Sequence, residues 1–538
     1  MSGVLAYVSD ENYVAIPRVL GEFAAKKSGE VRVLQSSPSG AFRGDLPAGD
    51  YRVTLSRDGY GSKWVDCHLD PARPHQFRLL SDQLMGFMWP KWVRAGEASE
   101  LRAHSPEQYQ LTLWRYGVRK EFVRMVSWYD EHGPRAVAQL LPDGDFSQTG
   151  VNWNHHGYLS LPIQHVIQAP ERSGLYYLWA RTPSGQRFSF PWVVAPAAPT
   201  AKIAVLASTN TWNAYNNFGG RSNYVNPEGL PASPTVNARL DLGRYTSEEF
   251  VWSVTDDRIK PLSFERPELG NDIFDNDPWA SSSIEDPIQG RMQCGQAPGE
   301  WRLLGWLERE QLDYDYYAEA QLHNGTVPLD AYKILIISVH PEYWTREMMR
   351  QVKEWVFERA GRLLYLGGNG LNCEVTLDAA NSVMRCLSFD DSKESGSVHE
   401  SRMHRTFEPE ASLLGVVFTN PGAMTSAPYQ VIDDSHWVFA GTGLRNGDPF
   451  GERSLHERVP GGASGHETDK VSASSPKGIK VVAKGMNPSG GGADLAVFEA
   501  GNGAVFSAGS ITWVSSLWPD KYVSKITRNV IDRFLQRS

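Results

Sequence analysis

A chain of 538 residues is too long for a single hydrophobic core and calls for two to four domains. Its 41% hydrophobic and 21% charged residues are those of an ordinary globular protein. Fifty-three basic against 62 acidic residues leave a formal charge of −9, which excludes a basic footprint for nucleic acid or anionic lipid.

No run approaches the roughly eighteen apolar residues of a membrane span. The opening segment "MSGVLAYVSDENYVAIP" lacks the basic start and apolar core of a signal peptide. The four cysteines, Cys67, Cys294, Cys373 and Cys386, show no CxxC pairing, so a cytoplasmic protein with reduced thiols is the simplest expectation.

Residues 1–82 read as a small β domain, because "GDYRVTLSRDGYGSKWVDCHL" is strand, Asp-Gly turn, strand. From 83 to 196 short strands continue ("SELRAHS", "YQLTLWRYG", "GLYYLWARTP", "QRFSFPWVVAP"), the spacing of a β-sandwich. "APAAPTA" then reads as a linker into a third domain, 197–538. There the period changes. "KIAVLAS", "KILIISV" and "RLLYLGG" are short solid apolar runs, the pattern of parallel strands covered by helices. "REMMRQVKEWVFERAG" lies between the last two, with Met348, Val352, Trp355 and Val356 on one face and Gly361 as its stop. The expectation is an α/β domain on an open parallel sheet, closed by the amphipathic helix "YVSKITRNVIDRFLQ". Segments 210–300 and 390–475 are long, Gly/Asn/Asp-rich and aperiodic, as functional loops over a sheet edge are.

Ligands of open parallel sheets bind at the carboxyl ends of the strands. The three apolar runs end in "TNTWNAYNNFGGRSNY", "HPEYW" and "GGNG", which places three polar clusters on one edge. "GASGHETD" adds His466, Glu467 and Asp469. Each has an ordinary alternative. His340 and Glu342 could cap a helix, Asn369 could serve a left-handed turn, Tyr215 and Tyr224 could be packing aromatics, and Glu467 and Asp469 could be solvated. No Walker or GxGxxG pattern, HExxH, or GxSxG elbow occurs. Cys373 follows its strand too late for a nucleophile elbow.

"NTWNAYNNFGGRSNY", "FERPE", "LDYDYYAEAQLH", "ISVHPEYW", "LGGNG", "GVVFTNPG", "FAGTGLRNGDPFG", "GHETD" and "VFSAGSITWVSSL" stand in the order of a known family. Over residues 200–538 the chain resembles the large (β) subunit of N,N-dimethylformamidase. The resemblance implies a fold similar to class I glutamine amidotransferases without their cysteine, and one ferric iron per chain held by two tyrosines and a glutamate. Carried across, it implies Glu342 as a ligand, His340 as its neighbour, Asn369 as an active-site amide and Glu467 as acid/base. Tyr215 matches the first tyrosine ligand. The second follows Arg-Pro in the family, where this chain has Glu268, so either Glu268 is a ligand, or Tyr224 supplies the second phenolate, or the metal is lost. A family lysine has no clear counterpart; Arg385 is the nearest guess.

Hard oxygen donors suit ferric iron better than zinc. The implied activity is hydrolysis of a C–N bond in a small, N-alkylated amide, with Trp212, Phe218, Tyr343 and Trp344 favouring alkyl or aryl groups. Implied partners are the amide substrate and further subunits, as a homo-oligomer or with a small subunit, with no nucleic acid and no membrane. Two other readings stay open at this stage: a metal-free binding or assembly protein, and a tyrosinate-iron redox enzyme.

Overall fold

The computed structural model describes residues 3–129, 139–153, 165–236, 259–273, 296–387, 398–456 and 458–536. Cys294 and parts of the segments 210–300 and 390–475 lie outside these described residues.

The first residues build two small sheets, a four-stranded antiparallel one and a three-stranded mixed one. The expected hairpin pairs Gly49–Arg57 with Gly61–Leu69. Its turn closes because Gly59 adopts φ +82, open to glycine without a Cβ clash. Residues 85–195 form a three-stranded and a five-stranded sheet. Strand Tyr109–Tyr116 alternates buried and half-exposed residues, whereas Gly174–Arg181 is buried almost throughout. Leu111, Leu113, Leu178 and Trp192 fill the core there.

The rest of the chain is organised by a nine-stranded sheet. Its strands in chain order are β1 (Ile203–Ala207), β2 (Asp315–Ala318), β3 (Ile334–Val339), β4 (Arg362–Gly367), β5 (Tyr429–Val431), β6 (Pro449–Phe450), β7 (Lys480–Gly485), β8 (Asp494–Ala500) and β9 (Gly503–Ser507). Their spatial order is β2-β1-β3-β4-β9-β8-β7-β5-β6. The ladders from β2 to β9 are parallel, and those from β9 to β6 are antiparallel.

This corrects the expected open parallel α/β sheet of the glutamine amidotransferase type. The chain is mostly β, 37% strand against 17% helix, and its large sheets are mixed or antiparallel. The parallel strands announce themselves because burial on both faces demands solid apolar runs. The antiparallel half gives a weaker signal, although β8 and β9 are themselves buried almost throughout. Its strands β5 and β6 have only three and two residues, and β8 joins β9 through the two-residue turn Gly501–Asn502, which leaves no room for a crossover helix.

Alternate residues of the parallel strands pack on opposite sides. Val205, Ile336 and Leu364 meet α2 (Ala297–Arg309) and α5 (Lys521–Gln536) through Trp301, Leu304 and Ile526. Leu206, Ile337 and Leu363 meet α3 (Arg346–Glu358) through Met348, Val352 and Trp355. Thr345 starts α3 by accepting the Met348 N–H at 3.2 Å. The strand ends are thus held between two apolar layers, which fixes the groups they carry. No helix among the described residues is long and apolar enough to cross a membrane.

Candidate active site at the carboxyl ends of the parallel strands

β3 delivers Glu342 through a strained turn. Val339 has φ +61, a left-handed conformation that its branched Cβ opposes, and the strand ends there in His340-Pro341-Glu342. Three backbone bonds hold the turn: Leu371 N–H to the Pro341 carbonyl at 2.8 Å, Cys373 N–H to the Glu342 carbonyl at 3.0 Å, and Gly368 N–H to the Val339 carbonyl at 3.2 Å. The Glu342 N–H donates to Thr211 Oγ1 at 3.1 Å, which ties it to α1 (Thr209–Ala214).

α1 follows β1 and ends at Tyr215. The chain then folds back on itself. Asn223 N–H donates to the Ala214 carbonyl at 3.0 Å, and Ser222 Oγ accepts from the N–H groups of Tyr224 and Val225 at 3.1 and 3.0 Å. That reversal stacks Tyr224 on Tyr215, with ring centres 4.1 Å apart and planes 29° apart. Both phenols donate to one carboxylate oxygen, Glu342 Oε2, Tyr224 at 2.7 Å and Tyr215 at 3.2 Å. Tyr343 OH donates to Tyr224 OH at 2.7 Å.

The third and fourth clusters close the opposite side. Asn369, after β4, sits at φ +52; its N–H donates to Asp469 Oδ1 and its Nδ2 to Glu467 Oε2, both at 2.8 Å. Tyr365 OH fills the other oxygen of Asp469 at 2.6 Å and accepts the Gly370 N–H at 2.7 Å. A Cβ on Gly368 would collide with the Glu467 carbonyl, so only glycine lets the two loops meet. His340 Nε2 then lies 3.0 Å from Glu467 Oε2 and 3.3 Å from Glu342 Oε2.

Burial governs the charges. It raises the Glu342 carboxyl above its ordinary value, against the pull of His340 and Arg402. Burial also pushes Tyr215 and Tyr224 well above the usual phenol range, and Glu342 adds to both. Burial acts the same way on Glu467, but the His340 ring overcomes it and holds this carboxylate down at about 2. His340 in turn is held above its ordinary value, because Glu467 and Glu342 outweigh its desolvation.

The structure brings together Tyr215, Tyr224, His340, Glu342, Asn369 and Glu467. It places Glu268 elsewhere. Glu268 is 3% exposed, with Oε1 accepting from Lys91 Nζ and Oε2 from Asn271 Nδ2, each at 2.6 Å. One oxygen is thus engaged in a buried ion pair and the other in an amide hydrogen bond, and the group that stands beside Tyr215 is Tyr224. Arg385 lies exposed on the strand Val383–Cys386. The cation that reaches the site is Arg402, the first residue of α4 (Arg402–Thr406), whose Nη1 is 3.4 Å from Glu342 Oε1. Sequence reading passed over Arg402 because it follows a long aperiodic stretch; its local signal is the Ser401 cap, which accepts the His404 N–H at 3.1 Å.

Among the described residues no three His, Cys, Asp or Glu side chains form a metal-holding group. The convergent donors are instead two phenols and one carboxylate. These fit a hard cation. Both phenol oxygens already stand at hydrogen-bonding separation from Glu342 Oε2, and the two phenol protons are what a trivalent cation would displace.

Residues 114–525 match the sequence profile described as "N,N-dimethylformamidase beta subunit-like, C-terminal". The chain belongs to this family. The N,N-dimethylformamidase beta subunit of Paracoccus aminophilus is 24% identical over 504 residues, covering 78% of this chain and 62% of its own length. That of an Alcaligenes species is 22% identical over 507 residues with the same coverages. The chain therefore spans 62% of the length of these dimethylformamidase relatives. A solved Bacteroides ovatus protein of a mixed-linkage glucan utilization locus, in complex with a heptasaccharide, covers 36% of this chain and 45% of its own. Its identity is 12% and its TM-score 0.14, too slight to carry an argument.

Proposed function

We propose that this dimethylformamidase-like chain hydrolyses the C–N bond of a small, N-alkylated amide, using one ferric ion per chain held by Tyr215, Tyr224 and Glu342. The observation that carries the reading is the meeting of two clusters on one sheet edge. Two tyrosines and Glu342 form a hard-donor set, and Glu467 stands 3.0 Å from His340 and 2.8 Å from Asn369 beside it. Relatives named as beta subunits support an assembly with further subunits, homomeric or with a small partner.

When bound, ferric iron supplies Lewis acidity towards the amide carbonyl and makes water more acidic. The chain's own groups do the rest. The Glu467 carboxylate takes a proton from the attacking water and returns it to the departing amine nitrogen. Asn369 holds Glu467 Oε2 in place, and the His340 ring, 3.0 Å from that oxygen and held above its ordinary value by the two carboxylates, faces the oxyanion that develops on the carbonyl. Arg402 holds Glu342 Oε1, which leaves Oε2 for the tyrosine side of the site.

The test is Glu467→Gln. The amide keeps the shape and an acceptor but cannot take a proton, so amine release should fall by about 10²–10⁴-fold with metal content unchanged. A variant that loses its metal makes Glu467 a ligand, and one that turns over at the wild-type rate removes Glu467 from the reaction.

A further inference from the structure

Cys373 opens the strand Cys373–Leu377, whose antiparallel partner Val383–Cys386 sets Val375 opposite Cys386. Alternation along a strand puts Cys373 on the same face as Val375, and so diagonally across from Cys386. The pairing continues beyond the strands' named ends, since Leu387 N–H donates to the Glu374 carbonyl at 2.9 Å. The hairpin backbone therefore fixes both side chains on one face. They are 0% and 2% exposed, and their sulfurs are 2.7 Å apart, inside the contact distance of two unbonded sulfur atoms. Two cysteines without CxxC spacing, expected as reduced thiols, meet here.

We propose that Cys373 and Cys386 are a covalent modification site: a dithiol that a small disulfide of the glutathione class oxidises to a protein disulfide. One cysteine, as thiolate, attacks a sulfur of the small disulfide, forms a mixed disulfide and expels one small thiolate. The second cysteine attacks the protein-side sulfur of that bond, forms the Cys373–Cys386 bond and expels the other. Two electrons pass from the protein pair to the small disulfide, and the two thiol protons end on the two small thiols released. Because both sulfurs are buried, exchange takes place while the hairpin is open, and closure then shields the bond from reductant.

The position gives the bond its consequence. Cys373 pairs with Tyr343 in the parallel two-residue strand Tyr343–Trp344, and its N–H holds the Glu342 carbonyl. Tyr343 OH in turn reaches Tyr224. A Cys373–Cys386 bond braces the backbone behind Glu342 whatever reaction the site performs, so the inference does not rest on the proposed hydrolysis.

The experiment uses the full chain incubated with oxidised glutathione, then denatured and alkylated with and without prior reduction. The expected result is two of the four cysteines alkylated without reduction and all four after it. An unreduced digest should contain the Cys373 and Cys386 peptides joined. In Cys386→Ser that joined peptide disappears, and reductant lowers the melting temperature of the wild type but not of the variant. Four alkylated cysteines before reduction, or a link that joins Cys67 to Cys294 instead, overturns the proposal.

Discussion

Glu342 is the residue on which the site turns. Its Oε2 receives both phenols and faces His340, while its Oε1 faces Arg402. Under the proposed function, removing it deletes one of three anionic donors, so Glu342→Ala should purify without metal while its circular dichroism stays native. Full metal occupancy in that variant would take Glu342 out of the ligand set. Arg402 is predicted to act through Glu342. Arg402→Ala should lower metal occupancy more than Arg402→Lys does, because lysine restores the charge without the planar fork. Equal occupancy in both variants and the wild type would contradict that role. The sequence reading singled out Glu342, His340 and Glu467 as candidates because each breaks a local pattern: a buried strand that ends in titratable groups, or a glycine-rich loop that carries them. It could not choose between Glu268 and Tyr224. That choice depends on the Ser222 turn, which folds Tyr224 back over Tyr215, and on Lys91, 177 residues from Glu268 in sequence, which claims that carboxylate.

At the scale of elements, the ends of β3 and β4 are positioned by close backbone approach. Gly368 is where the loop after β4 touches the Glu467 carbonyl, so Gly368→Ala must push the "GHETD" loop outward. The expected outcome is a large drop in turnover with native metal content, because the displaced group is Glu467 and not a metal donor. Unchanged turnover would show that the loop tolerates displacement. The Lys91–Glu268 pair joins the second β region to the residues before α2, and both partners are under a tenth exposed. Glu268→Ala leaves Lys91 buried without its counter-charge, a loss on the order of 3–5 kcal/mol. Chemical denaturation should show that loss, and the metal content of the folded fraction should match wild type. The apolar strands and both amphipathic helices were readable from periodicity, since burial writes it directly. The shortest antiparallel strands, β5 and β6, were not, because two and three residues carry too few positions to show a period.

For the whole molecule, buried carboxyls set the pH dependence of stability. Glu300 on α2 accepts from Ser208 N–H, Trp212 Nε1 and Tyr316 OH at 3.0, 3.0 and 2.6 Å, and burial raises it to about 7. Unfolded, it titrates near 4.3. The folded chain keeps this proton between those values, so stability is greatest below the unfolded value and falls as pH rises through 7. Each pKa unit is worth about 1.4 kcal/mol, which makes the full loss ~4 kcal/mol. Glu300→Gln should therefore melt above wild type at pH 8 and lose that advantage near pH 4.5; a constant difference across that range would contradict the assignment. The mixed character of the large sheet was the part of the whole least legible in sequence, yet the clustering of chemistry at one strand-end edge did not depend on it, because the parallel strands alone gather those groups. The most direct test of the metal-site account is the visible spectrum of the purified protein recorded with its iron content. The account predicts one iron per chain and a tyrosinate-to-iron absorption band that weakens in Tyr215→Phe and in Tyr224→Phe but not in Glu268→Gln. Stoichiometric iron without such a band, or amide hydrolysis by a chain that holds no metal, would contradict it.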